Sequence, residues 1–218
     1  DIDYCRKIGL PIIRRSQGGG AVYLDSDQIF YQVIARDDSR VIPLMVEKLF
    51  EKLLSVTVYV YWKLGLPAEF RAINDVVVNG RKISGNGAGK FGERTTILVG
   101  NIILNLDYDS MARVLKVPSE KFRDKMAKRM REWVTSIKRE LGYIPPAEEI
   151  KRLLIEGYEK ILGIKLIKSG ITELERRIWE KEIKPKHISR EWLYIHELRH
   201  SELVKGRAVK IADALHIY

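Results

Sequence analysis

The sequence predicts an α+β fold in which one layered sheet is covered by helices. Strand-like segments fill the first half of the chain, and helical patterns dominate from residue 108 onward. Strands and helices do not alternate, as they would in a doubly wound parallel sheet. With 218 residues, the chain is long enough to bury the core of one domain with a small appendage.

The first half begins with the end of a helix at 1–9. Residues 10–15 and 21–24 read as strands on either side of three glycines, and residues 29–36 read as a third strand. A helix follows between Pro43 and Gly65. Its apolar face is spaced as in a helix and contains Leu44, Met45, Leu49, Leu53 and Val56.

A tight hairpin is predicted next. Asn79-Gly80 supplies the two positive-φ positions of a two-residue turn between Val76–Val78 and Lys82–Ser84. A glycine-dense loop is predicted over 85–92, and paired strands around 95–107.

Helices are predicted through most of the second half. They cover 108–115, 119–133, 135–142 and 145–163, the last with prolines at its start. A short strand is predicted at 164–170, and Thr172 with Glu175 predicts a capping box at the start of a further helix. The end of the chain, from Ala208, reads as part of a strand.

Composition limits the cell compartments and the classes of partner that we expect for this chain. No apolar run is long enough to span a bilayer and no signal-peptide pattern opens the chain, which predicts no membrane partner. A single cysteine, Cys5, allows no intramolecular disulfide and indicates a reducing compartment, so we expect the cytoplasm. The net charge of +10 favours an anionic partner, although much of it lies on mixed-charge helices.

The segment RRSQGGGAVYLD, residues 14–25, does not match the common phosphate loops. A P-loop needs a lysine after its last glycine, and a dinucleotide fold needs a helix there, whereas Gly18-Gly19-Gly20 joins two predicted strands. We expect a bend whose backbone N–H groups can meet an anion. Because side chains alternate along a strand, one of Arg14 and Arg15 can reach that anion, and the other is expected to pair with a carboxylate.

The segment NDVVVNGRKISGNGAG places an acid and a base on the two arms of the hairpin. Asp75 and Lys82 lie side by side if the hairpin forms, and both can face one pocket. A lysine can hold a phosphate and a carboxylate together, and a carboxylate can hold Mg²⁺ against phosphate oxygens. Together the two segments predict a cationic, backbone-lined site for an anion.

These two segments resemble the signatures of the lipoate–protein ligase family, within the biotin and lipoate ligase superfamily. RRSQGGGAVYLD resembles R-R-x-x-G-G-G-x-V-x-x-D, and NDVVVNGRKISGNG resembles N-D-(apolar)-N-G-(K/R)-K-I-(S/G)-G. The resemblance covers roughly residues 1 to 165. It implies a mixed, mostly antiparallel sheet flanked by helices.

The resemblance also implies an activity and its residues. Such enzymes consume ATP with Mg²⁺ to join lipoate to AMP, and then pass the lipoyl group to a lysine of a lipoyl carrier domain. That carrier would be the acyltransferase subunit of a 2-oxoacid dehydrogenase, the glycine cleavage H protein or a similar protein. The resemblance implies that Lys82 contacts both the lipoyl carbonyl and the phosphate, and that Asp75 binds magnesium or orients the phosphate. It also implies that Arg15 contacts the nucleotide phosphates. The adenylate site would be formed by Arg15, Gly18, Gly19, Gly20, Ala21, Val22 and Tyr23.

The chain departs from the family pattern at four places. These are Leu24-Asp25, Asp27-Gln28, Asn86-Gly87 and Val99-Gly100. Some relatives also need an accessory domain, fused or separate, for adenylation. We therefore expect a catalytic domain over 1–195, lacking the N-terminal part of the family domain, and a C-terminal extension over 196–218 that could begin such an accessory domain.

The sequence leaves three alternative readings. The sequence HELRH at 196–200 matches a zinc-protease pattern but lacks a well-placed third ligand, so no zinc site is expected. Other relatives transfer octanoyl groups through a cysteine in or near the glycine-rich segment, without ATP. Here residues 85–92 hold no cysteine, and an ATP-independent octanoyl or lipoyl transfer is the second enzymatic reading. A basic nucleic-acid-binding domain using 121–139 is the non-catalytic one, although the aromatic spacing of a stacking platform is missing.

Overall fold

The apolar helix predicted after Pro43 is the centre of the core. In the computed structural model it is α2 (Val46–Lys63), and Leu49, Leu53 and Val56 on its predicted face are buried. The structure describes residues 1–15, 20–39, 41–43, 45–115, 120–195, 208–211 and 214–217, with backbone only at 120–124 and in the last two ranges. Leu44 and the HELRH segment lie outside these residues.

The described helices and strands follow the predicted order of strands first and helices later. The helices are α1 (Ile2–Lys7), α2, α3 (Tyr108–Val114), α4 (Glu120–Trp133), α5 (Ile137–Leu141), α6 (Ala147–Leu162), α7 (Glu173–Ile178), α8 (Lys184–Ile188) and α9 (Arg190–Leu193), with a π-helical turn at Trp179–Ile183. The strands are β1 (Gln28–Arg36), β2 (Ala68–Arg71), β3 (Asp75–Val78), β4 (Arg81–Phe91), β5 (Thr95–Ile103), β6 (Ala208–Ile211) and β7 (Ala214–Ile217). Among the helices of these residues, none has the length and apolar character to cross a membrane.

The main sheet has five strands in the order β1-β5-β4-β3-β2, and each neighbouring pair is antiparallel. One face packs against α2 and α6, where Val76, Leu98 and Ile102 are buried against the helical residues Leu54 and Ile150. This confirms the predicted α+β fold with its sheet flanked by helices. The capping box of Thr172 and Glu175 is also present, at the start of α7.

A polar network crosses the covered face of the sheet. The hydroxyl of Tyr31 lies 2.5 Å from that of Thr57 on α2 and donates to Oδ1 of Asn86 at 3.1 Å. Gly100 lies between them on β5, and a Cβ there would come within 2.3 Å of both Tyr31 and Asn86. Burial raises the pKa of Tyr31 to about 12. Gly100 is therefore required for close packing rather than for an unusual backbone angle.

Three predicted elements are wrong. Residues 10–15 and 21–24 form no strand, and residues 164–170 form none either. In two of these segments a side chain bonds the backbone: Trp192 Nε1 donates to Arg14 O at 3.0 Å, and Leu166 N donates to Glu159 Oε1 at 2.9 Å.

The glycine-dense segment 85–92 is a fourth misprediction. Residues 85–91 belong to β4, which pairs with β5 through Phe91, and only Gly92 is in a turn, at φ 64°. The paired strands expected around 95–107 are one strand, β5, which pairs on both sides. Glycine is a poor strand former, but the ladder with β5 keeps residues 86–91 in a strand.

Two compact units make up the chain. The larger, Tyr23–Ile167, contains the five-stranded sheet and α2–α6; the other contains Asp1–Val22 and Lys168–Tyr218. Within the latter, Arg6 of α1 donates to the Tyr194 hydroxyl at 3.2 Å. The expected division at residues 195 and 196 stays a prediction.

Candidate functional site

The predicted hairpin forms and brings Asp75 and Lys82 together. Asn79 and Gly80 adopt φ angles of 50° and 74°, which the two-residue turn requires. Lys82 Nζ lies 2.6 Å from Asp75 Oδ1, and Arg71 Nη2 lies 3.6 Å from Asp75 Oδ2. The side chains of Lys82 and Asp75 are 35% and 23% exposed. This pair is therefore accessible to an anionic ligand, with a cation on each side of one carboxylate.

A β-bulge sets the direction of Lys82. Val76 faces Ser84 while Val77 faces Lys82, so Ile83 is an extra residue on β4. The extra residue puts Lys82 and Gly85 on one face of the sheet although they are three positions apart. A Cβ on Gly85 would lie 3.2 Å from Lys82 Cε, so the glycine gives the lysine side chain its room.

The face that carries Lys82 is the one that α2 and α6 leave open. Gly85, Gly87 and Gly89 follow one another along it, since side-chain positions alternate on β4. At Gly87 and Gly89, no described atom lies within 4 Å of where a Cβ would be. Their partners across the ladder are Val99 and Ile97. We call these three glycines with Val99 and Ile97 the glycine strip; it is a shallow, apolar path that starts at Lys82.

Asn101 closes the start of the glycine strip. Its Oδ1 accepts from the backbone N–H of Gly85 at 2.8 Å, and its Nδ2 donates to Gln28 Oε1 at 2.9 Å. Asn101 is buried, at 9% exposure. Both ends of its amide are therefore satisfied within the sheet, and it fixes the backbone just beyond the bulge.

The arginine–glycine segment lies in the other unit, apart from Tyr23. Arg15 Nη2 donates to Gly20 O at 2.9 Å, so this arginine contacts the last of the three glycines. Arg14 donates through Nε and Nη2 to Leu193 O at 3.0 and 2.8 Å. The expected carboxylate partner of Arg14 is therefore wrong: a backbone carbonyl takes both bonds.

The other residues predicted to bind the adenylate are exposed, partly exposed or outside the described residues. Gly20, Ala21 and Val22 are exposed, and Gly18 and Gly19 lie outside the described residues. Tyr23 belongs to the larger unit, where burial and the neighbouring Asp25 and Asp107 raise its pKa. Their predicted roles at the nucleotide stay predictions.

The sequence did not predict the residues that fix the backbone around Lys82. Asn101 and Gln28 belong to strands far apart in the sequence, so nothing local pointed to their contact. Gly85, Gly87 and Gly89 carry one signal in the sequence, a spacing of two, which is the strand period.

The family model of the lipoyl protein ligase A/B catalytic domain matches residues 1–159. The fold and the lysine-bearing hairpin thus fall within an enzyme family that includes ligases and acyltransferases. This chain belongs to the lipoyl protein ligase A/B catalytic domain family.

Relatives of both kinds are similar to it. Lipoate-protein ligase A subunit 1 of Thermoplasma acidophilum is 30% identical over 202 residues, 88% of this chain and 74% of the relative. The octanoyltransferase LipM of Moorella thermoacetica is 26% identical, over 88% of this chain and 77% of the relative.

Solved structures of lipoate-protein ligases are also similar to this chain. A structure of a bi-partite lipoate protein ligase and its E2 lipoyl domain from T. acidophilum superposes with a TM-score of 0.78 at 30% identity, over 88% of this chain and 73% of that one. A lipoate-protein ligase A bound with ATP gives 0.74 at 25% identity, over 88% and 75%.

Proposed function

We propose that this chain is the catalytic part of an ATP-dependent lipoate–protein ligase. It joins lipoate to AMP and transfers the lipoyl group to a lysine of a lipoyl carrier domain. The observation that carries the proposal is the Lys82–Asp75 pair at the head of the glycine strip. Relatives bound with ATP and solved with a lipoyl domain support the choice of substrates.

The reaction has two steps. A carboxylate oxygen of lipoate attacks the α-phosphorus of ATP and pyrophosphate leaves; the carrier amine then attacks the acyl carbonyl, and AMP leaves with the oxygen that bridged it. Negative charge gathers on phosphate oxygens in the first step and on the carbonyl oxygen in the second. The Lys82 ammonium stabilises both, because a fixed cation in a partly desolvated site acts on developing charge.

The glycine strip is the path that we assign to the acyl chain. It begins beside Lys82 Cε, no described atom covers Gly87 or Gly89, and the apolar side chains Val99 and Ile97 lie along it. An unbranched chain carrying a carboxylate at one end fits a shallow apolar path that ends at a lysine.

Asp75 is the residue that we assign to Mg²⁺. Among the described residues, no cluster of three or more His, Cys, Asp or Glu could hold a metal by itself. Mg²⁺ in nucleotide sites takes one or two carboxylates and completes its shell with phosphate oxygens and water, so a single half-buried carboxylate fits. Such an ion neutralises phosphate charge; Asp75 would hold it while Lys82 turns to the acyl phosphate.

The nucleotide roles rest on the resemblance. We assign Arg15 to the phosphates, and the backbone of Gly18 to Val22, with Tyr23, to the adenylate. Arg15 makes a bond to Gly20 O that a phosphate oxygen could replace.

An ATP-independent acyl transfer is the second candidate, because several relatives are octanoyltransferases. A covalent acyl intermediate needs a thiol near the acyl carbonyl. The chain has one cysteine, and Cys5 is buried on α1, at 6% exposure, rather than on β4. This favours the ligase.

Mass spectrometry of a lipoyl carrier domain tests the proposal. The full-length protein is incubated with the carrier and lipoate, with and without ATP and Mg²⁺, and separately with lipoyl-AMP or an octanoyl thioester. Modification from lipoate only with ATP is expected. Modification from the thioester alone would transfer the assignment to the second candidate, and none from any donor would refute both. Transfer from lipoyl-AMP alone would indicate that adenylation needs an accessory domain.

A further inference from the structure

Glu140 lies beneath the hairpin that carries Lys82. It is on α5, its side chain is only 7% exposed, and it ion-pairs with Arg81 Nη2 at 2.9 Å. It also accepts from the Thr135 hydroxyl, and from Asn79 Nδ2 at 3.0 Å. Burial alone would raise the pKa of Glu140, but the bonds from Thr135, Arg81 and Asn79 together hold this pKa below its usual value. Glu140 is thus a buried, ionised carboxylate that the proposed reaction does not use.

Its partners are the immediate neighbours of Lys82. Arg81 precedes Lys82 in the sequence, and Thr135 donates its backbone N–H to Lys82 O at 2.8 Å. Val134 forms a parallel bridge with Lys82. One carboxylate therefore holds the residue before the lysine and the residue bonded to the lysine's own carbonyl.

The bulge explains why Lys82 needs this support. The ladder between β3 and β4 shifts between Val76 and Val77, just where Lys82 is paired, so regular strand bonds do not fix its direction. The bond from Thr135 replaces part of that ladder, and Glu140 fixes Thr135.

We propose that Glu140 is a positioning residue for Lys82, acting through Arg81 and Thr135. The inference rests on the proposed function, in which Lys82 acts on the acyl phosphate. It assigns Glu140 no contact with substrate.

Competitive acetylation is the first test, because it needs no substrate. Trace labelling of the ε-amines is followed by complete labelling with a second isotope, and cleavage after arginine puts Lys82 and Lys90 on one peptide, 82–94. Lys90, on the same strand and paired with Asp37 at 2.6 Å, is the internal reference. In Glu140→Gln we expect Lys82 to label several-fold faster relative to Lys90, since it is no longer held at Asp75.

Kinetics provide the second test. Glu140→Gln should lower kcat for adenylate formation about tenfold with little change in KM, because a misdirected catalytic group affects the transition state more than substrate binding. Thr135→Val, which removes only the hydroxyl, should do the same more weakly. Glu148→Gln is the control. It removes an equal charge from a carboxylate whose side chain is 84% exposed and which pairs with Lys151, so kcat and KM should stay at their wild-type values.

A double-mutant cycle separates positioning from general stability. If Glu140 acts through Lys82, Glu140→Gln has no further effect in a Lys82→Ala background. An equal loss in both backgrounds, or an unchanged Lys82:Lys90 labelling ratio, would overturn the inference while leaving the ligase assignment standing. If Lys82→Ala alone leaves the rate unchanged, the assigned role of Lys82 fails and the inference fails with it.

Discussion

Gly100 and Gly87 lie on neighbouring strands of the same sheet but face opposite sides of it. At Gly100 a Cβ would come within 2.3 Å of the Tyr31 ring and the Asn86 amide, whereas at Gly87 no described atom lies within 4 Å. The first glycine allows two buried side chains to meet, and the second leaves a surface bare. The difference teaches that the sheet is tightly filled at Gly100 on its covered face, whereas beside Lys82 the described residues leave Gly87 and Gly89 uncovered.

The largest effect is expected on the open face, from Lys82→Ala. Adenylate formation and transfer should both fall by about 10²–10³, the usual cost of removing one group that stabilises developing charge. The rates are measured separately, with lipoate plus ATP and with preformed lipoyl-AMP. Lys90→Ala, on the same strand, is the matched control. Wild-type rates in both steps after loss of Lys82 would remove it from the catalytic assignment.

On the covered face, Gly100→Ala should destabilise the fold by about 1–3 kcal/mol, because overpacking forces Tyr31 and Asn86 apart. Urea unfolding measures this change. Gly87→Ala, with open space around it, should leave the free energy of unfolding nearly unchanged or slightly raised, since alanine loses less backbone entropy in a strand. Equal destabilisation by the two substitutions would break the comparison.

Gly87→Val tests the glycine strip through activity rather than through stability. The branched side chain would stand on the glycine strip and reduce kcat/KM for lipoate by about 10-fold to 200-fold, the range that mismatched groups produce in apolar sites. Gly87→Ala should lose less. A Gly87→Val protein that keeps full activity with lipoate and octanoate would show that the acyl chain lies elsewhere.

A last effect, seen only outside neutral pH, concerns alkaline conditions. The folded pKa of Tyr31 is raised from 10.0 to about 12, so the neutral phenol is favoured by folding. That contribution is complete below pH 10 and is lost as pH rises from 10 to about 12, at up to roughly 1.4 kcal/mol per pH unit. Tyr31→Phe should make the loss of stability over this interval less steep. An unchanged slope would show that Tyr31 does not titrate with unfolding.

The sequence predicted those parts of the fold and site that local chemistry determines. The Asn79-Gly80 turn fixed the hairpin and with it the contact of Asp75 and Lys82, and helical spacing identified α2. Contacts between distant segments were not predictable in this way. Trp192 and Leu193, 178 and 179 residues away in the sequence, bond Arg14 in the segment where a strand was predicted.

The prediction of a loop at the glycines of β4 was wrong for a different reason. A residue without a side chain carries no hydrophobic pattern, so a central strand with an empty face looks like a loop in sequence. Asn86, one of the positions where the chain departs from the family pattern, acquires a meaning only when it is seen to bond Tyr31 across Gly100.

The most direct test of the account is the fate of the lipoate oxygen. Lipoate labelled with ¹⁸O in its carboxylate is incubated with the full-length protein, ATP, Mg²⁺ and a lipoyl carrier domain, and the AMP is analysed by mass spectrometry. Attack of the carboxylate on the α-phosphorus predicts one labelled oxygen in AMP for each lipoyl-lysine formed. Lipoylated carrier accompanied by unlabelled AMP, or by no AMP, would contradict the acyl-adenylate and with it the role given to Lys82.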